Sequence, residues 1–247
     1  MISIFQMIIY FSIGIFSGFM SGMFGIGGGS VRIPLLVLIG MSIKSAFGVN
    51  LFVIPFSSLT GAFTHRRNIE WKIAGYMIPA GIGGSILGAL FVGKFSDFTL
   101  VILFFIVSII TVIGVHLQRI APGLTAKLRP GLIPVFSGTF FLNLIIGLRG
   151  GSGGSLFPPL LKSLGVEIKK AIATSLFVTI FTALSAWVIY LGRGDVPWDA
   201  AIFVLLGSIV GSRTGSKLSL KTKPFWLEIG LTVLILGLAV IMIIKKL

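Results

Sequence analysis

Apolar stretches near the ~20 residues that carry a helix across a bilayer follow one another along all 247 residues of this chain. They lie at about 4–24, 43–64, 73–93, 98–118, 131–148, 168–191, 198–216 and 225–244, and no segment is left over for a soluble domain. Hydrocarbon offers no partner to an open amide or carbonyl, so each crossing must satisfy its own backbone, as a helix does. The composition agrees: 55% hydrophobic and 11% charged residues, with a mean hydropathy of +1.10, exclude a water-soluble domain of this size. The chain reads as an all-α polytopic membrane protein. Its first apolar stretch lacks a basic leader and runs past the length of a signal-peptide core, so it is expected to remain as a membrane helix. Zero cysteines exclude disulfides, thiolate metal sites and cysteine redox relays.

Twice an apolar segment runs into glycine and serine, passes a proline and resumes. The first such break reads Ile26-Gly27-Gly28-Gly29-Ser30-Val31-Arg32-Ile33-Pro34, the second Gly150-Gly151-Ser152-Gly153-Gly154-Ser155-Leu156-Phe157-Pro158-Pro159. At an offset of 125, Pro34 falls on Pro159, Gly40 on Gly165, Lys44 on Lys169, Ala46 on Ala171 and Asn50 opposite Ser175. With a further two-residue shift, Gly84-Ser85-Ile86-Leu87-Gly88 falls on Gly207-Ser208-Ile209-Val210-Gly211. The chain is a fused duplication: a first transmembrane repeat over 1–120, a linker over 121–130 and a second repeat over 131–247. Each half is expected to hold four long helices and one short apolar piece, Val31 to Gly40 or Leu156 to Gly165. About ten residues at 1.5 Å each cover half the hydrocarbon thickness, the length of a broken or re-entrant helix.

Loop charge chooses the orientation of the halves. If the short pieces complete a crossing, Arg66, Arg67, Lys72, Arg119, Lys127, Arg129, Lys169, Lys170, Arg213, Lys217, Lys221 and Lys223 share one side, against Lys44, Lys94, Arg149, Arg193, Lys245 and Lys246 on the other. That bias is the kind that sets topology, whereas the alternative leaves none, so an inverted repeat with both termini outside the cytoplasm is favoured. The same loop lysines and arginines account for most of the net charge of +14, and no nucleic-acid partner is expected.

Non-helical backbone at bilayer depth persists only where it lines a cavity or is buried in protein, and paired breaks in matching places point to a solute site. Consecutive glycine amides followed by a helix start suit an anion. The candidate binding residues are therefore Gly27, Gly28, Gly29 and Ser30 in the first break and Gly151, Ser152, Gly153, Gly154 and Ser155 in the second. Arg32 and Arg149 supply charge. A guanidinium at depth needs a partner, and with no carboxylate in mid-helix the expected one is the solute or a water-filled cavity. The competing expectation is that both arginines snorkel to the interface from the ends of short helices. Asn50, Thr174 and Ser175, placed alike in the two halves, add polar groups, while Asn143 is read as packing.

Other patterns carry less. The ladders Gly14-Gly18-Gly22, Gly84-Gly88 and Gly207-Gly211-Gly215 serve close helix packing within the bundle, with a homodimer face as their other use. Gly88 to Lys94 spells G-x-x-x-x-G-K, but Phe95 stands where a phosphate loop needs Ser or Thr. His65 and His116 are read as isolated interfacial residues, so no metal and no cofactor is expected.

In Gly25-Ile26-Gly27-Gly28-Gly29 with Pro34-Leu35, then Gly40, Ala46 and Asn50, and again in Gly151-Ser152-Gly153-Gly154-Ser155 with Pro159-Leu160, Gly165, Ala171, Thr174 and Ser175, the chain resembles the sulfite exporter TauE/SafE family of membrane permeases, over nearly its whole length. The resemblance implies transport of small sulfur-containing anions (sulfite, sulfonates or sulfoacetate) across the bacterial inner membrane without ATP hydrolysis. The reading is a secondary transporter of a small anionic solute embedded in the lipid bilayer, the anion held between the breaks near the midplane with alternating access. The rivals are an anion channel and an intramembrane enzyme. Gly150-Gly151-Ser152-Gly153 fits G-x-S-G, but neither histidine follows the serine to act as base.

Overall fold

The structure, a computed structural model, describes residues 3–92, 94–96, 130–148, 151, 153–194 and 196–223, with scattered positions between 98 and 123 and between 225 and 240. Eight α-helices run through the continuously described part: α1 (Ile4–Phe24), α2 (Gly29–Leu38), α3 (Ile43–Thr64), α4 (Trp71–Val92), α5 (Leu132–Gly147), α6 (Phe157–Ser163), α7 (Ile168–Arg193) and α8 (Trp198–Lys221). Short 3₁₀ turns lie at Arg66–Asn68 and Gly153–Ser155. The crossings expected at 98–118 and 225–244 fall where only scattered positions are described, so three long helices per half, rather than four, can be compared.

Local chemistry explains the boundaries. Ser3 and Gln6 close a reciprocal capping box at the start of α1, and the Ser42 hydroxyl accepts the Ser45 amide at the start of α3, each satisfying an amide that helix geometry leaves open. The two short helices end alike. Gly40 and Gly165, partners in the repeat, adopt left-handed φ of 97° and 87°, open to glycine without steric cost. Their amides donate to Val37 and Lys162, and the next amides to Leu36 and Leu161. α6 is the shorter because Pro158 and Pro159 fill its first turn, the one place where a missing amide costs no helical hydrogen bond.

Small residues set the packing. A Cβ on Gly207, Gly211 or Gly215 would collide with the carbonyls of Phe11, Ile15 and Phe19, and one on Gly14, Gly18 or Gly22 with carbonyls of α8. The ladders thus hold α1 and α8 backbone to backbone, running in the same direction. Gly84 and Gly88 bring α4 against Phe140 and Leu144 of α5 in the same way. α3 and α7 cross antiparallel, with Phe52 beside Trp187 (ring centroids 5.6 Å apart) and Gly61 beside Leu176. α3 also meets α8, α4 meets α7, α2 lies on α3 and α6 on α7. Exchanging α1–α4 for α5–α8 maps this set of pairings onto itself.

One end of the bundle gathers the starts of α4 and α7 and the end of α8, since Lys170 pairs with Glu70 at 2.6 Å and Lys169 Nζ donates to the Leu220 carbonyl. At the other end Arg193 donates to the Leu90 carbonyl. The radial pattern is that of a protein in lipid: Ile133 and Val188 are 79% and 62% exposed, while Arg32, Asn50, Ser57 and Ser208 are fully buried. Among the described residues, four helices, α1, α3, α4 and α7, are long and apolar enough to cross a membrane.

Candidate functional site

The first break is built by glycine geometry. Gly25, Gly27 and Gly28 all take left-handed φ, at 73°, 68° and 77°, a conformation that costs an L-residue roughly 1–2 kcal/mol. α1 stops there, the chain doubles back, and α2 starts at Gly29 with the Val31 and Arg32 amides donating to the Gly28 carbonyl. Every residue from Phe24 to Pro34 is buried. In the second break the Gly151 amide donates to the Ile146 carbonyl, and Gly153–Ser155 form the 3₁₀ turn that leads into α6.

The two breaks meet. A Cβ on Gly154 would sit 3.3 Å from the Gly27 amide nitrogen, and the Ser175 hydroxyl lies 2.7 Å from the Gly25 carbonyl and 3.2 Å from that of Gly154. Asn50, its repeat partner, covers the corresponding glycine: a Cβ on Gly29 would sit 2.8 Å from Asn50 Nδ2. Gly27, Gly28, Gly29, Ser30, Gly154 and Ser155 are thereby gathered in one buried place with Asn50 and Ser175. Losing the bridging hydroxyl in Ser175→Ala should destabilise the fold by about 1–3 kcal/mol, the penalty for buried carbonyls left unpaired. The readout is a lower melting temperature of the detergent-purified protein.

Arg32 overturns the expectation that it snorkels to the interface. It is fully buried, with Nη1 donating to Asn50 Oδ1 at 2.8 Å and Nη2 to Ser208 Oγ at 3.1 Å. Nor does it wait on a solute for its only partners, because these two side chains already hold the fork. Ser208 donates its own proton to the Gly14 carbonyl, which leaves its oxygen free to accept from Arg32. The cation sits in the first turn of α2, adding to the positive end of that helix rather than offsetting it. Among the described residues it has no carboxylate partner, and its Nε meets no acceptor. Ser21 Oγ and Thr179 Oγ1 are likewise buried without partners. Ser21 lies against Gly28, and Thr179 against Gly154.

Other placements differ. Thr174 accepts the Glu70 amide at 3.0 Å, so it secures the start of α4 while the adjacent Ser175 faces the breaks. Asn143 does the packing expected of it, accepting from Ser85 at 3.0 Å and donating to the Thr139 carbonyl. Arg149 and Ser152 lie outside the described residues. His65, expected at the interface, is 1% exposed; it caps the end of α3 beneath the Arg66–Asn68 turn, whose two arginines are exposed. His116 is not isolated, since its Nε2 lies 2.7 Å from Thr232 Oγ1. Sequence reasoning assigned no role to Ser208, Ser21 or Thr179. The match of Ser85 with Ser208 in the repeat was the available signal for the first of these.

A family model described as sulfite exporter TauE/SafE matches residues 10–242. A probable membrane transporter protein of Methanocaldococcus jannaschii, MJ0441, is 30% identical over 89% of this chain and 89% of its own length. Probable membrane transporter proteins of Bacillus subtilis (YunE) and Haemophilus influenzae are 24% and 23% identical, over 91% and 94% of this chain and 93% and 96% of theirs. No solved structure matches.

Proposed function

The chain belongs to the sulfite exporter TauE/SafE family and is a membrane transporter rather than an enzyme, and we propose that it carries a small sulfur-containing oxyanion, of the sulfite, organosulfonate or sulfoacetate type, through the paired breaks. The carrying observation is the buried, uncompensated guanidinium of Arg32 beside two glycine turns that touch, with Arg32 Nε, Ser21 Oγ and Thr179 Oγ1 left open around them. An unpaired cation in a membrane interior is unfavourable by several kcal/mol, and a bound oxyanion offsets that cost while accepting from the open donors. Arg149 and Ser152 complete the proposed site from the second break.

Alternating access follows from an inverted pair of repeats, 1–120 and 131–247. Supporting it, α3 and its counterpart α7 run antiparallel, and the first helix of each half packs on the last continuously described helix of the other. The end rich in Arg66, Arg67, Lys169, Lys170, Arg213 and Lys217 then faces the cytoplasm, in the bacterial inner membrane. Rocking of one repeat against the other exposes the breaks alternately. Reconstituted in liposomes, the protein should move radiolabelled sulfite or a sulfonate with saturable kinetics that need no ATP. Unsaturable, conductive flux would assign it to the channels instead.

A further inference from the structure

A cleft of about 940 Å³ opens at the cation-rich end, where the last turns of α3 and α8 flank the Arg66–Asn68 turn. It lies outside the paired breaks, and its cations belong to the set that marks the cytoplasmic side. Its wall is apolar and faces outward, with Leu59 and Phe63 56% and 67% exposed. Its rim carries Arg66, Arg67, Arg213 and Lys217, all exposed, and among the described residues no carboxylate lines it. Arg213 and Lys217 lie one turn apart on the same face of α8, and Arg66 stacks 4.8 Å from the centre of the Phe63 ring. The nearby Glu70 is engaged by Lys170, so none of the four is neutralised by a carboxylate among the described residues. At the floor, His65 is buried with neither ring nitrogen in a well-formed hydrogen bond.

We infer that this cleft binds the headgroup of an anionic phospholipid, its phosphate between Arg66, Arg67, Arg213 and Lys217 and its acyl chains along Leu59 and Phe63. Cations with no carboxylate partner among the described residues attract an anionic phosphodiester and donate to its oxygens, and the apolar wall beside them suits the chains attached to it. A soluble anion would use the rim alone. Basic pockets between membrane helices recognise anionic headgroups in this way, with each Lys or Arg near the surface strengthening attachment several-fold.

The test is native mass spectrometry of the full chain in a non-ionic detergent, titrated with phosphatidylglycerol and, separately, with phosphatidylcholine. Phosphatidylglycerol should bind preferentially, and Arg213→Ala/Lys217→Ala should weaken it on the order of tenfold. Lys44→Ala/Lys94→Ala removes the same charge at the opposite end and should change binding less than twofold. Arg66→Ala/Arg67→Ala must repeat the loss, so that misfolding of one variant does not decide the matter. Equal losses in both end-specific pairs, no preference over phosphatidylcholine, or displacement of the lipid by inorganic phosphate at equal concentration would each overturn the assignment.

Discussion

Arg32→Gln is expected to remove saturable anion flux, with apparent affinity falling by about two orders of magnitude. Truncating one partner of a buried, hydrogen-bonded charge pair costs about 2–5 kcal/mol, and 1.4 kcal/mol corresponds to tenfold. Glutamine keeps a donor toward Asn50 Oδ1 and Ser208 Oγ, the partners at 2.8 and 3.1 Å, so the fold should survive. It also removes a buried cation, which in the empty protein relieves desolvation. The melting temperature should therefore stay close to that of the parent protein or rise while transport collapses, a divergence that a purely structural arginine would not produce. Arg32→Lys restores charge but not the planar fork and should recover only part of the flux. Flux in proteoliposomes and melting in detergent, measured on the same preparations, check both halves of the expectation.

Gly211→Val should have the largest effect on folding. Its Cβ would occupy the place of the Ile15 carbonyl, and the flanking Gly207 and Gly215 meet Phe11 and Phe19 in the same way. Overpacking a core against mobile side chains costs about 1–3 kcal/mol; here the obstacle is backbone, so α1 and α8 must separate along their length. Separation also draws Ser208 away from the Gly14 carbonyl and from Arg32. The expected outcome is loss of the monodisperse, detergent-stable species on size exclusion. Gly75→Ala is the matched control: it also lies in a helix, on α4, where a Cβ would meet nothing within 4 Å. It should be neutral or slightly stabilising, as alanine is the better helix former.

Much of the fold was legible in the sequence because lipid imposes a simple rule. Expectations of 4–24 and 43–64 coincide with α1 and α3, and 131–148 with α5 to within a residue. α8 runs on to Lys221 where the apolar pattern ends at 216: Lys217 and Lys221 extend the helix past the apolar part, on the charged face that Arg213 begins. The two short helices were legible through the repeat, as Gly40 and Gly165 end them identically. Contacts between distant segments were not legible. Nothing local in Arg32 identifies Ser208, 176 positions away, as the acceptor that holds it inside, and without that partner the interface was a reasonable place for a guanidinium. Thr174 and Ser175 are neighbours in sequence, yet helical rotation turns one to α4 and the other to the breaks. His65 stands just before a basic turn but tucks under it, a matter of tertiary packing alone.

That Arg32 and the touching glycine turns form an anion site inside the membrane is tested most directly by titrating detergent-purified protein with sulfite in a calorimeter, alongside Arg32→Gln. The account predicts one saturable site in the parent protein and its loss in the variant at an unaltered or higher melting temperature. Equal sulfite binding by the two proteins would contradict it.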